Sequence, residues 1–380
     1  MKELRATLAL QSLPWPVLVG LGVIGAVFQL ANPNFLTPLN LTNLLLQIAA
    51  TGTLATGMVL VLLLGEIDLS AGAVSGLCAA CMAVLHVRHG VNGALAAGAA
   101  LVLGATIGTL QGWWITRLRV PSFVVTLAGL LAWQGALLFV LGSTGSVNLR
   151  DPFVVGLAGT FLPSGAAWIA ASVVVLLQLA ARVRHQAQRA RAGLATSSTG
   201  NMAVHAVLLI LVIGGTTAVL TADRGFPLAV VILVGMMAVV DGMVTRTRLG
   251  RHILAVGSNA EAARRAGIPV SRVRITAFAL CSTLAALGGV LAASRLQAVN
   301  QSSGSGDLLL NAIASAVIGG TSLFGGKGSA WSALLGALVI GSISNGMDLL
   351  ALESSIKFMV TGAVLLVAVT VDALGQQGRR

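Results

Sequence analysis

The chain has 380 residues, of which 56% are hydrophobic and only 9% charged, where an ordinary soluble domain has about a quarter of its residues charged. So few charged side chains cannot cover a water-facing surface. That excludes a soluble enzyme, a disulfide-stapled secreted scaffold, a disordered tail and a coiled coil, and leaves an all-α polytopic integral membrane bundle. The formal charge of +12 lies in short clusters between apolar runs rather than in a continuous stripe, so no nucleic-acid partner is expected.

A helix crossing ~30 Å of hydrocarbon needs about 20 apolar residues. In chain order the apolar runs are 13–31, 41–64, 69–87, 93–115, 121–141, 166–181, 202–220, 226–244, 275–294, 308–320, 330–349 and 356–371. They predict about 12 membrane segments in one integral membrane domain over 1–380. The first run carries Pro14 and Pro16 at its start and no small-x-small site after it, which argues against a cleaved signal peptide. Gly104, Gly108 and Gly112 recur every four residues, the spacing of a helix-packing seam. Cys78, Cys81 and Cys281 lie in apolar runs with no ligand set around them, and read as buried thiols rather than metal or redox groups. The run 308–320 is short and ends in Gly, which predicts a re-entrant or broken segment.

Basic residues orient this topology. With the N-terminus in the cytoplasm, 18 of the 23 Lys and Arg residues fall on the inner side. Arg88, Arg150, Arg224, Arg295 and Lys357 fall on the outer side. The positive-inside rule favours that orientation and puts both termini in the cytoplasm. The stretch 185–201 reads as a flexible basic loop lying against anionic membrane lipid. The longest outer loop, 143–165, offers a surface to a partner outside the membrane.

Candidate chemistry is sparse. Residues 320–328 look briefly like a phosphate-binding loop, but Thr321 stands where the pattern needs Gly and Gly328 where it needs Ser or Thr. His86 and His89 have no third ligand in view and read as a polar surface pair. No catalytic carboxylate pair can be assembled, so neither an enzyme nor a cofactor is expected. The inner loop 245–273 is the most informative. Ser258, Asn259 and Glu261 fit a capping box, with Ser258 as the N-cap and Glu261 reaching back. Ala262, Ala263, Arg264 and Arg265 favour helix, Gly267 suits a left-handed cap, and Pro269 blocks continuation. A short capped helix in this place is either a docking element or a membrane-surface helix. Glu66 and Asp68 join two apolar runs with almost no loop. Acids so placed serve a transport path or gate, or form an ion pair or interfacial turn. Asp241 and the pair Asn345 and Asp348 raise the same question.

Six motifs then occur in order. They are Glu66-Ile67-Asp68-Leu69-Ser70-x-Gly72; Gly112-Trp113-Trp114; Val120-Pro121-Ser122-Phe123-Val124-Val125-Thr126-Leu127-Ala128-Gly129; Gly250-Arg251 with Gly257-x-Asn259-x-Glu261-Ala262-Ala263-Arg264 and Gly267-Ile268; Val317-Ile318-Gly319-Gly320-Thr321-Ser322-Leu323-x-Gly325-Gly326-x-Gly328-Ser329; and Asn345-Gly346-Met347. From about residue 41 to 372 the chain resembles the permease subunits of bacterial ATP-binding-cassette sugar importers of the ribose/xylose/arabinose branch. The paired Trp113 and Trp114, and the added basic loop and span around 181–220, resemble the D-xylose type. Gln111 departs from the Asn that the pattern has there, and Trp133 departs at a second position.

The resemblance implies a permease that does conformational work while a separate nucleotide-binding ATPase subunit hydrolyses ATP. It implies import of a monosaccharide, D-xylose or another pentose, into the cytoplasm across the inner membrane. It further implies pairing with a second copy of the chain, ATPase docking on the helix at 259–266, and delivery by a periplasmic or lipid-anchored sugar-binding protein. A neutral sugar needs hydrogen-bonding groups rather than an electrostatic well. Gln47, Thr51, Thr53 and Thr56 place such groups along the second span, with bonding inside or between helices as the alternative. An ion-coupled secondary transporter and a membrane-embedded enzyme are the rival classes.

Overall fold

The computed structural model describes residues 15–194 and 199–377. Lys2, Arg5, Arg379 and Arg380, counted above as inner charges, lie outside the described residues. Among the described residues the fold is all-α, with fifteen α-helices, a one-turn 3-10 helix (Gly142–Thr144) and two short two-stranded ribbons. The helices are α1 (Trp15–Ala31), α2 (Pro38–Leu63), α3 (Ala71–Val87), α4 (Gly93–Arg117), α5 (Ser122–Leu141), α6 (Pro152–Gly159), α7 (Ser164–Arg191) and α8 (Thr199–Thr221). They continue with α9 (Leu228–Arg246), α10 (Arg248–Ser258), α11 (Ala260–Arg265), α12 (Val270–Leu296), α13 (Gly306–Ile318), α14 (Ala330–Leu349) and α15 (Ser354–Gln377). Eight of the described helices are long and apolar enough to cross a membrane, and four more are apolar but shorter. Each of the twelve apolar runs carries one of them.

Local chemistry starts these helices. Thr37 accepts a hydrogen bond from Asn40 N, with Pro38 in the first turn of α2. Asn92 caps α4 through Ala94 N. Helices α2, α3 and α12 are among the most buried, and α4 packs along α12. The seam of Gly104, Gly108 and Gly112 lies on α12. A Cβ at these positions would stand 2.6 Å from Ser282 O, 2.8 Å from Ala279 Cα and 2.7 Å from Ile275 Cα respectively. Only a missing side chain permits backbones to approach that closely.

The basic stretch after 185 differs from its expectation. Helix α7 continues through it to Arg191 and is 28 residues long, or ~42 Å by helix rise. Ordinary helix formers fill this stretch up to the turn at Gly193, so nothing stops the helix earlier. Only 6% of the apolar window of α7, and 11% of that of α8, is buried within the chain.

The short segment is a broken crossing. Strand β1 (Ser146–Asn148) pairs antiparallel with β4 (Ala298–Asn300), and β2 (Phe161–Leu162) with β3 (Phe226–Pro227), at one end of the bundle. After β4 the chain enters the bundle without helical structure, and the 13-residue α13 completes the passage. Residues 319–329 then turn against the end of α2, where Gly326 N donates to Leu63 O at 2.9 Å. Helices α10 and α11 lie at this second end.

Candidate functional site

The inner loop carries two consecutive helices rather than one. Thr247 caps α10 by accepting from Gly250 N, and Ile253 and Val256 are buried. The expected capping box does not form, and the N-cap lies one residue later. Asn259, not Ser258, caps α11: its Oδ1 accepts from Ala262 N at 2.9 Å. Ser258 ends α10, and its hydroxyl donates to Leu254 O at 2.9 Å. Glu261 does not reach back; it pairs with Arg264 at 2.9 Å and Arg265 at 3.2 Å. The physical reason is that α10 runs directly into α11. Ser258 keeps helical geometry, while Asn259 is extended at φ −162° and ψ 100°, as an N-cap must be.

Gly267 has φ +82°. Its N–H donates to Arg264 O and that of Ile268 to Ala263 O, both at 3.0 Å, which closes α11 in a Schellman motif. Ala263 is buried and anchors the helix. Glu261, Ala262, Arg264, Arg265 and Gly267 face outward, so α11 is a short knob with a charged face.

Beneath the knob three segments meet backbone to backbone. Gly257 lies against Leu63 O, with Gly326 N 2.9 Å from where its Cβ would be. Gly65, at φ +74°, packs on Phe324 O. Beside this junction Glu66 forms an ion pair with Arg274 of α12 at 2.9 Å. Asp68 is fully buried. Its Oδ1 accepts from Ser70 N at 2.9 Å and from Ser70 Oγ at 2.6 Å, and Ser70 Oγ accepts from Gln111 Nε2 at 2.8 Å. Asp68 Oδ2 and Gln111 Oε1 are buried without a partner. Burial pushes the Asp68 carboxyl above its ordinary pKa, against the pull of the Ser70 bonds. The two acids thus hold one turn to two different helices, α12 and α4.

The remaining candidates do not join them. Thr53 and Thr56 are fully buried, and each donates at 2.7 Å to its own helix, to Ala49 O and Gly52 O. Gln47 and Thr51 are half-buried, one turn apart on α2. Asn345 lies at the opposite end of the bundle, in a reciprocal amide pair with Asn40: 2.8 Å in one direction and 3.0 Å in the other. Asp348 forms an ion pair with Lys357. His86 Nδ1 meets Val91 O at 2.8 Å. Among the described residues no group of three His, Cys, Asp or Glu could hold a metal ion, and all three cysteines are free. Sequence reasoning missed Asn40, Arg274 and the role of Gln111 in holding Ser70. Asn40 and Arg274 stand just before their apolar runs and Gln111 just inside the end of its own, and that placement was the available signal.

The family model described as branched-chain amino acid transport system / permease component matches residues 40–369. The chain belongs to this permease family. This permease is 37% identical over 343 residues to the xylose transport system permease protein XylH of Escherichia coli, covering 89% of this chain and 86% of the relative. To XylH of Haemophilus influenzae it is 36% identical over 365 residues, covering 94% and 95%. To the ribose import permease protein RbsC of Escherichia coli it is 32% identical over 363 residues, covering 93% and 92%. No solved structure matches it. The permease is therefore a multi-pass membrane component of a transport system, not an enzyme, and its fold supplies a path rather than a reaction centre.

Proposed function

We propose that this permease imports a neutral monosaccharide, a pentose of the xylose kind, driven by ATP hydrolysis on a separate subunit. The observation that carries the reading is α11: a knob anchored by Ala263, capped by Asn259 and Gly267, with Glu261, Arg264 and Arg265 turned outward. Membership of the permease family supports it, as do relatives named for xylose and ribose. In this reading the α10–α11 end faces the cytoplasm, the side where the inner basic residues gather. An ATPase subunit docks on α11, and a sugar-binding protein docks on the ribbon end. Two copies of the chain enclose the path, and both termini are cytoplasmic. Ser258 closes α10, and Glu66 carries the movement of α11 to α12 through Arg274. Gln47 and Thr51 remain lining candidates. Asp68, Thr53 and Thr56 hold the central helices, and Asn345 and Asp348 brace the outer end.

The test is labelled D-xylose uptake into proteoliposomes holding the permease, its ATPase subunit and its binding protein. ATP-dependent uptake without an ion gradient is expected. Uptake by the permease alone under a proton or sodium gradient would replace this reading with a secondary transporter. Gly267→Val forces a β-branched residue into a left-handed cap. It should lower uptake at least tenfold, with normal membrane insertion and weakened ATPase association. Glu66→Gln should leave association intact and raise the ATP spent per sugar. Wild-type values in both variants would remove α11 from the coupling.

A further inference from the structure

The broken crossing carries a polar face at a depth where lipid cannot be its neighbour. Between β4 and α13 the chain reads Gln301-Ser302-Ser303-Gly304-Ser305. Gln301 starts at the mouth, with its Nε2 2.9 Å from where a Cβ of Gly145 would be. Two residues on, Ser303 O lies against Gly76 of α3, and Gly304 O lies 2.9 Å from where a Cβ of Gly72 would be. Those two glycines sit ~16 and ~22 Å from the Val87 end of α3 by helix rise, in a hydrocarbon core of ~30 Å. Gln134, in the interior of α5, donates from Nε2 to Gln301 O at 3.1 Å and holds the descending strap.

Non-helical backbone at membrane depth persists only where protein buries it or water lines it. Here the strap is buried on one side only. Asn300, Gln301, Ser302 and Asp307 are all exposed on the surface of the chain. Part of the strap closes on itself: Asn300 Oδ1 accepts from Ser302 N at 3.0 Å and from Ser302 Oγ at 2.8 Å. The Gln301 amide, Asn300 Nδ2, Gln134 Oε1 and the Asp307 carboxylate keep free hydrogen-bonding capacity. An exposed carboxylate and free amides facing acyl chains would be prohibitively costly, so this face looks onto water.

We propose that the strap from Asn300 to Asp307, held by Gln134, lines the solute path at mid-membrane and forms a way station for a neutral polyhydroxylated solute. Amides and hydroxyls supply donors and acceptors together, which is what sugar hydroxyls require. One carboxylate among them is too little charge for an anion or cation well. The path runs along the outside of the protomer and is closed by a second copy. The solute class rests on the function proposed above; the wet face does not.

The deciding experiment uses Ser302→Cys in the full transporter, reconstituted in proteoliposomes and treated with a charged, water-soluble thiol reagent. Two controls accompany it. The unaltered chain, with Cys78 and Cys281 buried and Cys81 half-buried, sets the background labelling. Leu211→Cys sits in the middle of α8 on a face with no protein cover. Ser302→Cys should react at least tenfold faster than both, and D-xylose with the binding protein and ATP should slow that reaction at least threefold. Gln134→Ala and Gln301→Ala should each raise the half-saturating sugar concentration at least fivefold. An inert Ser302→Cys in every nucleotide state overturns the wet face. Rapid labelling that sugar never slows, with half-saturation unchanged in both Ala variants, overturns the way station. Absence of ATP-driven uptake by the wild-type transporter is a failure of the proposed function alone, because labelling of Ser302→Cys still reads the strap.

Discussion

Helices α2 and α7 have nearly the same hydropathy and length, yet they live in different surroundings. In α2, 83% of the apolar window is buried inside the chain; in α7 only 6% is. Apolar content therefore sets which segments enter the membrane and says nothing about what each one touches there. The difference lies in small residues and in polar partners. Gly57 of α2 meets α12 closely: a Cβ there would stand 2.9 Å from Cys281 O and 3.0 Å from Leu284 Cβ. Gly215 of α8, the helix paired with α7, has nothing within 4 Å.

That contrast makes the largest prediction. Gly57→Leu overpacks the α2–α12 contact, a class of change that costs about 1–3 kcal/mol or more where the backbone cannot yield. Thermal unfolding of the purified permease in detergent should show a clear fall in midpoint, or loss of the folded species. Gly215→Leu should leave the midpoint unchanged or slightly raised, since Leu gains helix propensity over Gly. Equal loss in both variants would mean that the hairpin of α7 and α8 is packed as firmly as the centre.

The sequence made the spans and the α4 glycine seam readable, because both depend on spacing within one segment. Twenty apolar residues cross a bilayer whatever their neighbours, and a Gly every fourth residue marks a close face on any helix. The cap of α11 was nearly readable: Ser258 and Asn259 are both good N-cap types, and only the preceding helix α10 decides between them. The strap at 300–307 was not readable. Its course is set by β4 pairing with β1, about 150 residues earlier, and by Gln134 on a third segment. Without those contacts its Gln, Ser and Gly residues look like an ordinary outer loop. Thr53 and Thr56 were readable as polar groups on α2, but the direction they face depends on which helices surround α2.

A second, smaller effect tests how α2 is held at its ribbon-side end. Asn40 gives one amide hydrogen to Asn345 and, at 2.8 Å, another to Phe35 O. Removing one member of a buried pair leaves the other unsatisfied, at a cost of about 1–3 kcal/mol. Asn40→Leu and Asn345→Leu should each lower the unfolding midpoint, with Asn40→Leu the more harmful because it also frees the Phe35 carbonyl. The double variant should cost less than the sum of the singles by about 0.5 kcal/mol or more. Strict additivity would show that the two amides do not act as a pair. The cycle thus measures how firmly the amide pair holds this end of α2.

The smallest effect belongs to α7 itself. Its ~42 Å exceed the hydrocarbon core by about two turns, and this basic end carries Arg182, Arg184 and Arg191 beside Arg189. A helix with so little protein around it is positioned by lipid, and basic residues at such an end gain about 1 kcal/mol each beside an anionic surface. Replacing these three arginines with Gln should leave the detergent unfolding midpoint unchanged, because no core contact is lost. The difference should appear only in bilayers. Any gain in stability or transport on moving the wild type from neutral to anionic lipid should shrink in the variant, and high salt should erase it in both. If the variant instead unfolds earlier in detergent, then α7 is held by protein after all, and its low burial within one chain points to cover by the second copy.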